Sequence, residues 1–367
     1  MIDERVLKRE ERAVYALRSL YGKYGYQAYK MSKFEEYDLY VRNKDFLISD
    51  RIITFNDTDG KLMALKPDVT LSIIKNLDEQ PGCKQKVCYN ENVYRVSGST
   101  RQFKEIMQAG RECIGALDRY DLYEVVSLAA ESLALISEDF VLDVSHLGVL
   151  TAMLEEISDD VQLRRELTHY IAEKNRHDLE RVCRENGVSP EKTAAICEFI
   201  GIYGEMDSVL RRLEPLCTGE AARAALAELE QLRTLLADSP WRDHIFFDFS
   251  IVNDMDYYNG IVFQGFLSGI CEGVLSGGQY DKLIQKMGRS GGAVGFALYL
   301  DLLEDLGRAE RDRDVDVLLL YDEEDAALVA RETKRLIGEG KSVSAQKAIP
   351  EKLRYGQVLD LRKEGRV

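Results

Sequence analysis

The chain has 367 residues, 45% of them hydrophobic and 31% charged, and 64 acidic against 49 basic side chains leave a formal net charge of −15. That length suits one large core with a smaller satellite domain, while the acidic balance repels a phosphate backbone and argues against a nucleic-acid binder without a strong local basic patch. No window approaches the roughly 20 consecutive apolar residues of a membrane span, and Met1-Ile2-Asp3-Glu4 lacks the basic and apolar regions of a signal peptide, so a cytoplasmic protein is expected.

In chain order, Val14, Leu17, Tyr21 and Tyr24 recur at helical spacing and Gly25 supplies a stop, which predicts an amphipathic helix over 12–24. The runs 46–55 and 61–65, separated by Asn56-Asp57-Thr58-Asp59-Gly60, predict a β-hairpin. Val87–Val96 and Phe103–Ile114 read as an antiparallel pair around the polar loop 97–100. Leu122, Val125, Val126, Ala129, Leu133 and Ile136 then predict a helix covering one face of that sheet.

From Leu147 to about Leu236 strand signals nearly vanish and charged helical patterns take over, which reads as a helical insertion. Strands resume at 245–250, 261–266 and 273–275, followed by the glycine-rich Ser276-Gly277-Gly278 and a last helix over 295–306. A charged linker precedes a strand at 315–320 and a helix at 323–337, giving a core of 1–310 and a small α/β tail of 311–367. In the tail, Gly340-Lys341-Ser342 has Arg335 where a phosphate loop needs its first glycine, and it lies at a helix end, so it reads as a turn. Seven cysteines, an odd number in apolar or helical surroundings, suit reduced thiols, and no zinc site is expected from Cys83 and Cys88. No metal or cofactor is assigned.

Four stretches, taken together and in order, resemble the histidyl-tRNA synthetase family over roughly residues 10–306. They are Met63-Ala64-Leu65-Lys66-Pro67-Asp68-Val69-Thr70; Tyr94-Arg95 through Gly115; Met255-Asp256-Tyr257-Tyr258-Asn259-Gly260-Ile261-Val262-Phe263 with Gly277-Gly278-Gln279-Tyr280-Asp281; and Gly295-Phe296-Ala297. The resemblance implies an α+β fold, a class II synthetase-like antiparallel sheet surrounded by helices. It also implies a dimer through the first helix and following strand. It assigns a histidine-binding set of Asp68 for the α-ammonium, Thr70 and Gln108 for orientation, Glu112 and Tyr258 for the imidazole, and Tyr257 beside them.

The departures from the family pattern concern ATP. Arg95 is kept, but Ser97 stands where the family has an acidic residue, Asn253 and Asp254 where it has a catalytic arginine and glycine, Tyr299 where a glycine gives the nucleotide room, and Leu302 where an arginine binds ATP. Adenylation needs fixed positive charge around a moving polyanion, and losing one such contact commonly costs about 3–4 kcal/mol in the barrier. A site that keeps its amino-acid residues and loses its phosphate cations is similar to the regulatory subunits of ATP phosphoribosyltransferase, the first enzyme of histidine biosynthesis. In that family the implied partners are a short catalytic subunit, a second copy of the chain, and histidine as feedback ligand; tRNA is not an expected partner. Asp143-Val144-Ser145-His146 resembles that family's aspartate-x-glycine-histidine with Ser145 as a departure, and His146 by itself reads as a helix-start or core histidine. The competing readings are a divergent amino-acid ligase, opposed by Leu302 and Asn253, and a synthetase-like RNA sensor, opposed by the acidic balance.

Overall fold

A computed structural model describes residues 7–43, 52–77, 82–96, 101–252, 257–306, 313–322 and 326–362. The chain divides into two compact units, Met1–Leu306 and Gly307–Val367. The first begins with α1 (Arg9–Lys23), β1 (Gln27–Ala28), β2 (Phe34–Glu36), α2 (Tyr37–Arg42), β3 (Thr54–Asn56), β4 (Leu62–Leu65) and α3 (Thr70–Lys75). The long strands β5 (Lys84–Val96) and β6 (Phe103–Gly115), then α4 (Arg119–Ala134) and β7 (Phe140–His146), follow. A helical segment holds α5 (Leu147–Ile157), α6 (Val161–Ala172), α7 (Arg176–Glu185), α8 (Pro190–Phe199), the short β8 (Tyr203–Glu205), α9 (Met206–Leu213) and α10 (Glu220–Leu235). The unit closes with β9 (Ile245–Asp248), β10 (Ile261–Leu267), β11 (Leu275–Gln279), α11 (Asp281–Lys286), β12 (Gly292–Tyr299) and a 3-10 helix over Leu300–Leu306.

Among the described residues nine strands form one sheet in the order β1-β5-β6-β12-β11-β10-β7-β9-β8. It is antiparallel apart from β1 on β5 and β7 on β9, which run parallel. A separate antiparallel sheet, β2-β4-β3, holds the hairpin predicted around Gly60; residues 46–51 of that prediction lie outside the described residues.

The side-chain period of two sends neighbouring residues of β6 and β12 to opposite faces. On one face Cys113, Val294, Phe296 and Leu298 meet Val125, Leu128 and Ala129 of α4 and Leu17 and Tyr21 of α1. Each fully buried Val, Leu or Phe is worth about 1.5–3 kcal/mol, so packing fixes where α4 lies. Its start is fixed locally: the Asp118 carboxylate accepts the Tyr120 and Asp121 N–H groups at 2.8 and 3.3 Å, and Asp121 accepts the Asp118 N–H at 2.7 Å. The other face carries a second core of Ile73, Ile74, Tyr89, Tyr280, Leu283 and Ile284, and the candidate site sits there.

Two expectations are corrected. Residues 295–299 belong to strand β12, not to a helix, and only 300–306 turn helically. The run Gly-Ala-Val-Gly-Phe-Ala-Leu-Tyr is short and apolar, a pattern that periodicity cannot assign to either period, and its glycines disfavour a helix. The run 276–278, read as following a strand at 273–275, lies inside β11. A Cβ on Gly277 would stand 2.5 Å from the Gly295 carbonyl oxygen, so these glycines serve close strand packing. Strands β2, β7 and β8 and helices α2, α3 and α11 were not anticipated, because each is short or lacks a clean apolar period.

The second unit is a parallel sheet of β13 (Val315–Leu320), β14 (Val343–Gln346) and β15 (Tyr355–Asp360) in the order β14-β13-β15, with α12 (Ala326–Gly338) packed on it through Leu336. Gly340 has φ +80° in the turn that follows α12, and the Ser342 hydroxyl donates to Asp316 at 2.9 Å, so this segment is a turn.

Candidate functional site

Strand register builds the site. On β6, Gln108, Gly110 and Glu112 share a face, and their partners on β12 are Tyr299, Ala297 and Gly295. Gly278 pairs with Gly295 on the far side, so Glu112 stands in a row with two glycines. The absent side chains make room for the carboxyl group: a Cβ on Gly295 would overlap Glu112 Oε2. Arg111, one residue away, points to the opposite face; its guanidinium lies 4.5 Å from the Tyr26 ring centroid and 4.9 Å from that of Phe296 and donates to the Glu124 carbonyl at 3.1 Å. It makes no contact in the site, although its charge partly offsets the rise of the Glu112 pKa.

Asp68 and Thr70 arrive from the start of α3, Tyr257 and Tyr258 from the segment before β10, and Arg95 from β5. Together with Gln108 and Glu112 they line a single pocket that Tyr89, Tyr280 and Tyr299 also line. All six residues assigned to histidine binding therefore converge. Of the residues assigned to the lost ATP site, Arg95 and Tyr299 line the pocket; Leu302 packs, half-buried, against the main core; Ser97 and Asn253 lie outside the described residues. Sequence reasoning passed over Tyr89 and Tyr280. Tyr280 follows the Gly-Gly-Gln run in a stretch already singled out, so the signal was present.

The pocket is small. Its free volume is about 40 Å³, room for water and too little for an amino acid. Thr70 donates to Glu112 Oε1 at 3.0 Å and Tyr280 to Oε2 at 2.5 Å, so both carboxyl oxygens are engaged from within the chain. The Tyr257 ring lies 4.6 Å from that of Tyr258 and 5.7 Å from that of Tyr280. Asp68 accepts the Leu71 N–H at 2.9 Å, and the Arg95 guanidinium donates to the Pro67 carbonyl at 2.9 Å.

Burial dominates the electrostatics. It pushes Glu112 up to about 8 against the two hydroxyl donors, with the nearby Asp68 charge adding to the rise, so at neutral pH the acid is mostly protonated. Asp68 is also raised by burial, against the Leu71 N–H and the Arg95 charge. Burial lifts Tyr89, Tyr257 and Tyr280 well above the ordinary phenol range, so all three stay neutral donors. Such a site suits recognition of a small polar ligand by hydroxyl, amide and carboxyl groups, with Glu112 able to exchange a proton near neutral pH. The guanidinium pair that a polyphosphate calls for is not among the described residues lining it.

Residues 2–303 match the family model of histidyl-tRNA synthetase. The ATP phosphoribosyltransferase regulatory subunit of Thermoanaerobacter sp. (strain X514) is 29% identical over 338 residues, 89% of this chain and 87% of that protein. A solved ATP phosphoribosyltransferase regulatory subunit/histidyl-tRNA synthetase from Bacillus halodurans C superposes with a TM-score of 0.81 at 22% identity, covering 97% of this chain and 94% of that one. A chain of the ATP phosphoribosyl transferase (HisG:HisZ) complex from Thermotoga maritima superposes at 0.62 with 21% identity, covering 79% and 97%. At those identities the two superpositions establish the fold, a synthetase-like mixed sheet surrounded by helices.

Proposed function

The chain belongs to the histidyl-tRNA synthetase family, and we propose that within it this protein is the regulatory subunit of an ATP phosphoribosyltransferase. It joins a short catalytic subunit, activates the first step of histidine biosynthesis and conveys feedback by histidine, with no adenylation activity of its own. One observation carries the reading: residues that resemble the family's amino-acid-recognising set remain gathered around Glu112, while Tyr299 projects into the same pocket from a position where the family keeps a glycine for its nucleotide. The names of the relatives support it.

Histidine is the proposed ligand of the pocket, held by Asp68, Thr70, Gln108, Glu112, Tyr257 and Tyr258. Its entry requires Thr70 and Tyr280 to release Glu112, so the small pocket with Glu112 engaged and an enlarged, occupied one are the two states whose balance a partner subunit can sense. A coupling of about 1–3 kcal/mol suffices for regulation. The test mixes this chain with a purified short catalytic subunit and follows phosphoribosyl-ATP formation. The expected result is co-elution, activation, and inhibition by histidine, with no turnover and no histidine-dependent ATP–pyrophosphate exchange from the chain alone. Activity indifferent to this chain, or measurable exchange, overturns the reading.

We also propose a homodimer through the first helix and following strand. The support is that Tyr15 and Tyr24 on α1, and Phe34, Phe55 and Leu62 on the small sheet, are large apolar groups left exposed. Light scattering of the purified chain is expected to give twice the chain mass at micromolar concentration; a monomer refutes it.

A further inference from the structure

A second cavity shares no lining residue with the pocket described above. It is a cleft of about 670 Å³ between α10 and the ends of β6, β11 and β12, bounded by the start of α4. Its lining includes the apolar Leu117, Leu122, Leu232 and Leu235 together with Gln279, Gln285 and the backbone of Gly291 and Gly292. A cleft of this size with apolar side chains and a few polar groups is the ordinary form of a small-ligand site.

Two of its acidic groups are already committed. Asp118 caps α4 and meets Lys84 Nζ at 2.8 Å. Asp281 accepts the Ala293 N–H at 2.8 Å and the Asn259 amide at 3.3 Å. Glu228 and Arg119 differ from these. The Gly148 N–H donates to Nδ1 of the buried His146 at 3.1 Å, which places the ring proton on Nε2, and Nε2 donates to Glu228 Oε2 at 3.0 Å. The histidine singled out in the Asp143-to-His146 stretch thus holds a cleft carboxylate in a fixed orientation, and Oε1 of that carboxylate has no partner among the described residues. The His146 hydrogen bond, against burial and with a smaller contribution from Arg119, keeps the Glu228 carboxyl below its usual range. Arg119 therefore feels Glu228, yet it makes no ion pair or hydrogen bond among the described residues. A cation and an oriented anion line one cleft without touching, together with several leucines.

We propose that this cleft binds a small zwitterion with an apolar or aromatic side group, an amino acid or a dipeptide. The ligand's ammonium meets Glu228, its carboxylate meets Arg119, and its side group lies against the leucines. His146 acts as a positioning residue. The proposal is independent of the regulatory reading and of histidine binding at Glu112.

The test is calorimetric titration of the full chain with L-phenylalanine, L-phenylalaninamide and N-acetyl-L-phenylalanine. Free phenylalanine is expected to bind, and each blocked form to bind about tenfold more weakly or worse, as the loss of a charge-assisted hydrogen bond implies. Glu228→Gln should weaken phenylalanine by a similar factor and abolish the preference for a free amine; Arg119→Ala should do the same for the free carboxylate. Both replaced side chains are exposed or half-exposed, and unchanged circular dichroism verifies folding. Glu112→Gln should leave phenylalanine binding unaltered, which separates the cleft from the deep pocket. No binding at millimolar phenylalanine, or an affinity and preference unmoved in either Glu228→Gln or Arg119→Ala, overturns the proposal.

Discussion

Gly295→Ala is expected to destabilise the first unit by more than about 4 kcal/mol, or to prevent folding, as measured by thermal and urea unfolding. The added Cβ would overlap Glu112 Oε2 and stand 2.5 Å from the Arg111 carbonyl oxygen. The first obstruction is a side chain and can move; the second is backbone held in register between β6 and β12 and cannot move without breaking the ladder. Burial on both faces leaves no free direction. Ala297, two residues along the same face of β12, already carries a Cβ and pairs with Gly110, so Ala297→Gly serves as the control and should cost about 1 kcal/mol. A folded Gly295→Ala protein with unchanged unfolding temperature would contradict the geometry of the Glu112 row.

Glu112→Gln is expected to flatten the dependence of stability on pH. In the folded protein Glu112 titrates near 8, in place of the ordinary 4.5. Between those values the folded state holds a proton that the unfolded chain has released. The stability conferred by this group is therefore complete below about pH 4.5, falls as pH rises, and is gone above about pH 8. The expected loss is on the order of 3 kcal/mol between pH 5 and pH 9. Glutamine has the shape of the protonated acid: it can accept from one of Thr70 and Tyr280 and donate to the other, so the variant keeps the contacts and loses the titration. Part of the slope should survive, because burial and the neighbouring Asp248 raise Asp143 to about 7 on β7, and that pair is untouched. Unfolding temperatures of wild type and variant at pH 5.5 and 8.5 decide it. The variant should be the more stable at pH 8.5 and close to wild type at pH 5.5; parallel pH profiles would show that Glu112 titrates normally. If histidine binds here, the same substitution should weaken it as well, since the imidazole loses an ionisable partner.

Much of the site was legible because its residues sit in short stretches whose chemistry is local. Asp68 and Thr70 share one segment, Tyr257 and Tyr258 another, and Gln108 and Glu112 are spaced to share a strand face. Helix α1 was legible from Leu17, Tyr21 and the Gly25 stop, and α4 from its apolar period. Strand β12 was misread because its eight residues are apolar or small throughout, and only a partner on each side, β6 and β11, shows them extended. Glu228 gave no signal: it is one acid among several on α10, distinguished only by His146, which lies 82 residues earlier in the chain.

The sequence by itself pointed to the family, to the helical segment between the two halves of the sheet, and to Asn253 and Leu302 standing where the family has arginines. These follow from residue identity and spacing along the chain, which local chemistry constrains. Only the tertiary structure decided that the pocket is small and its acid already engaged. Glu112 is satisfied by Thr70 from 42 residues away and by Tyr280 from 168 residues away, and hydrogen bonds between residues so separated are set by strand register and packing, not by any local pattern. The same register sends Arg111 into an aromatic cage and Glu112 into the pocket, and the burial of that carboxyl, which no single stretch of sequence encodes, is what lifts the acid into the physiological pH range.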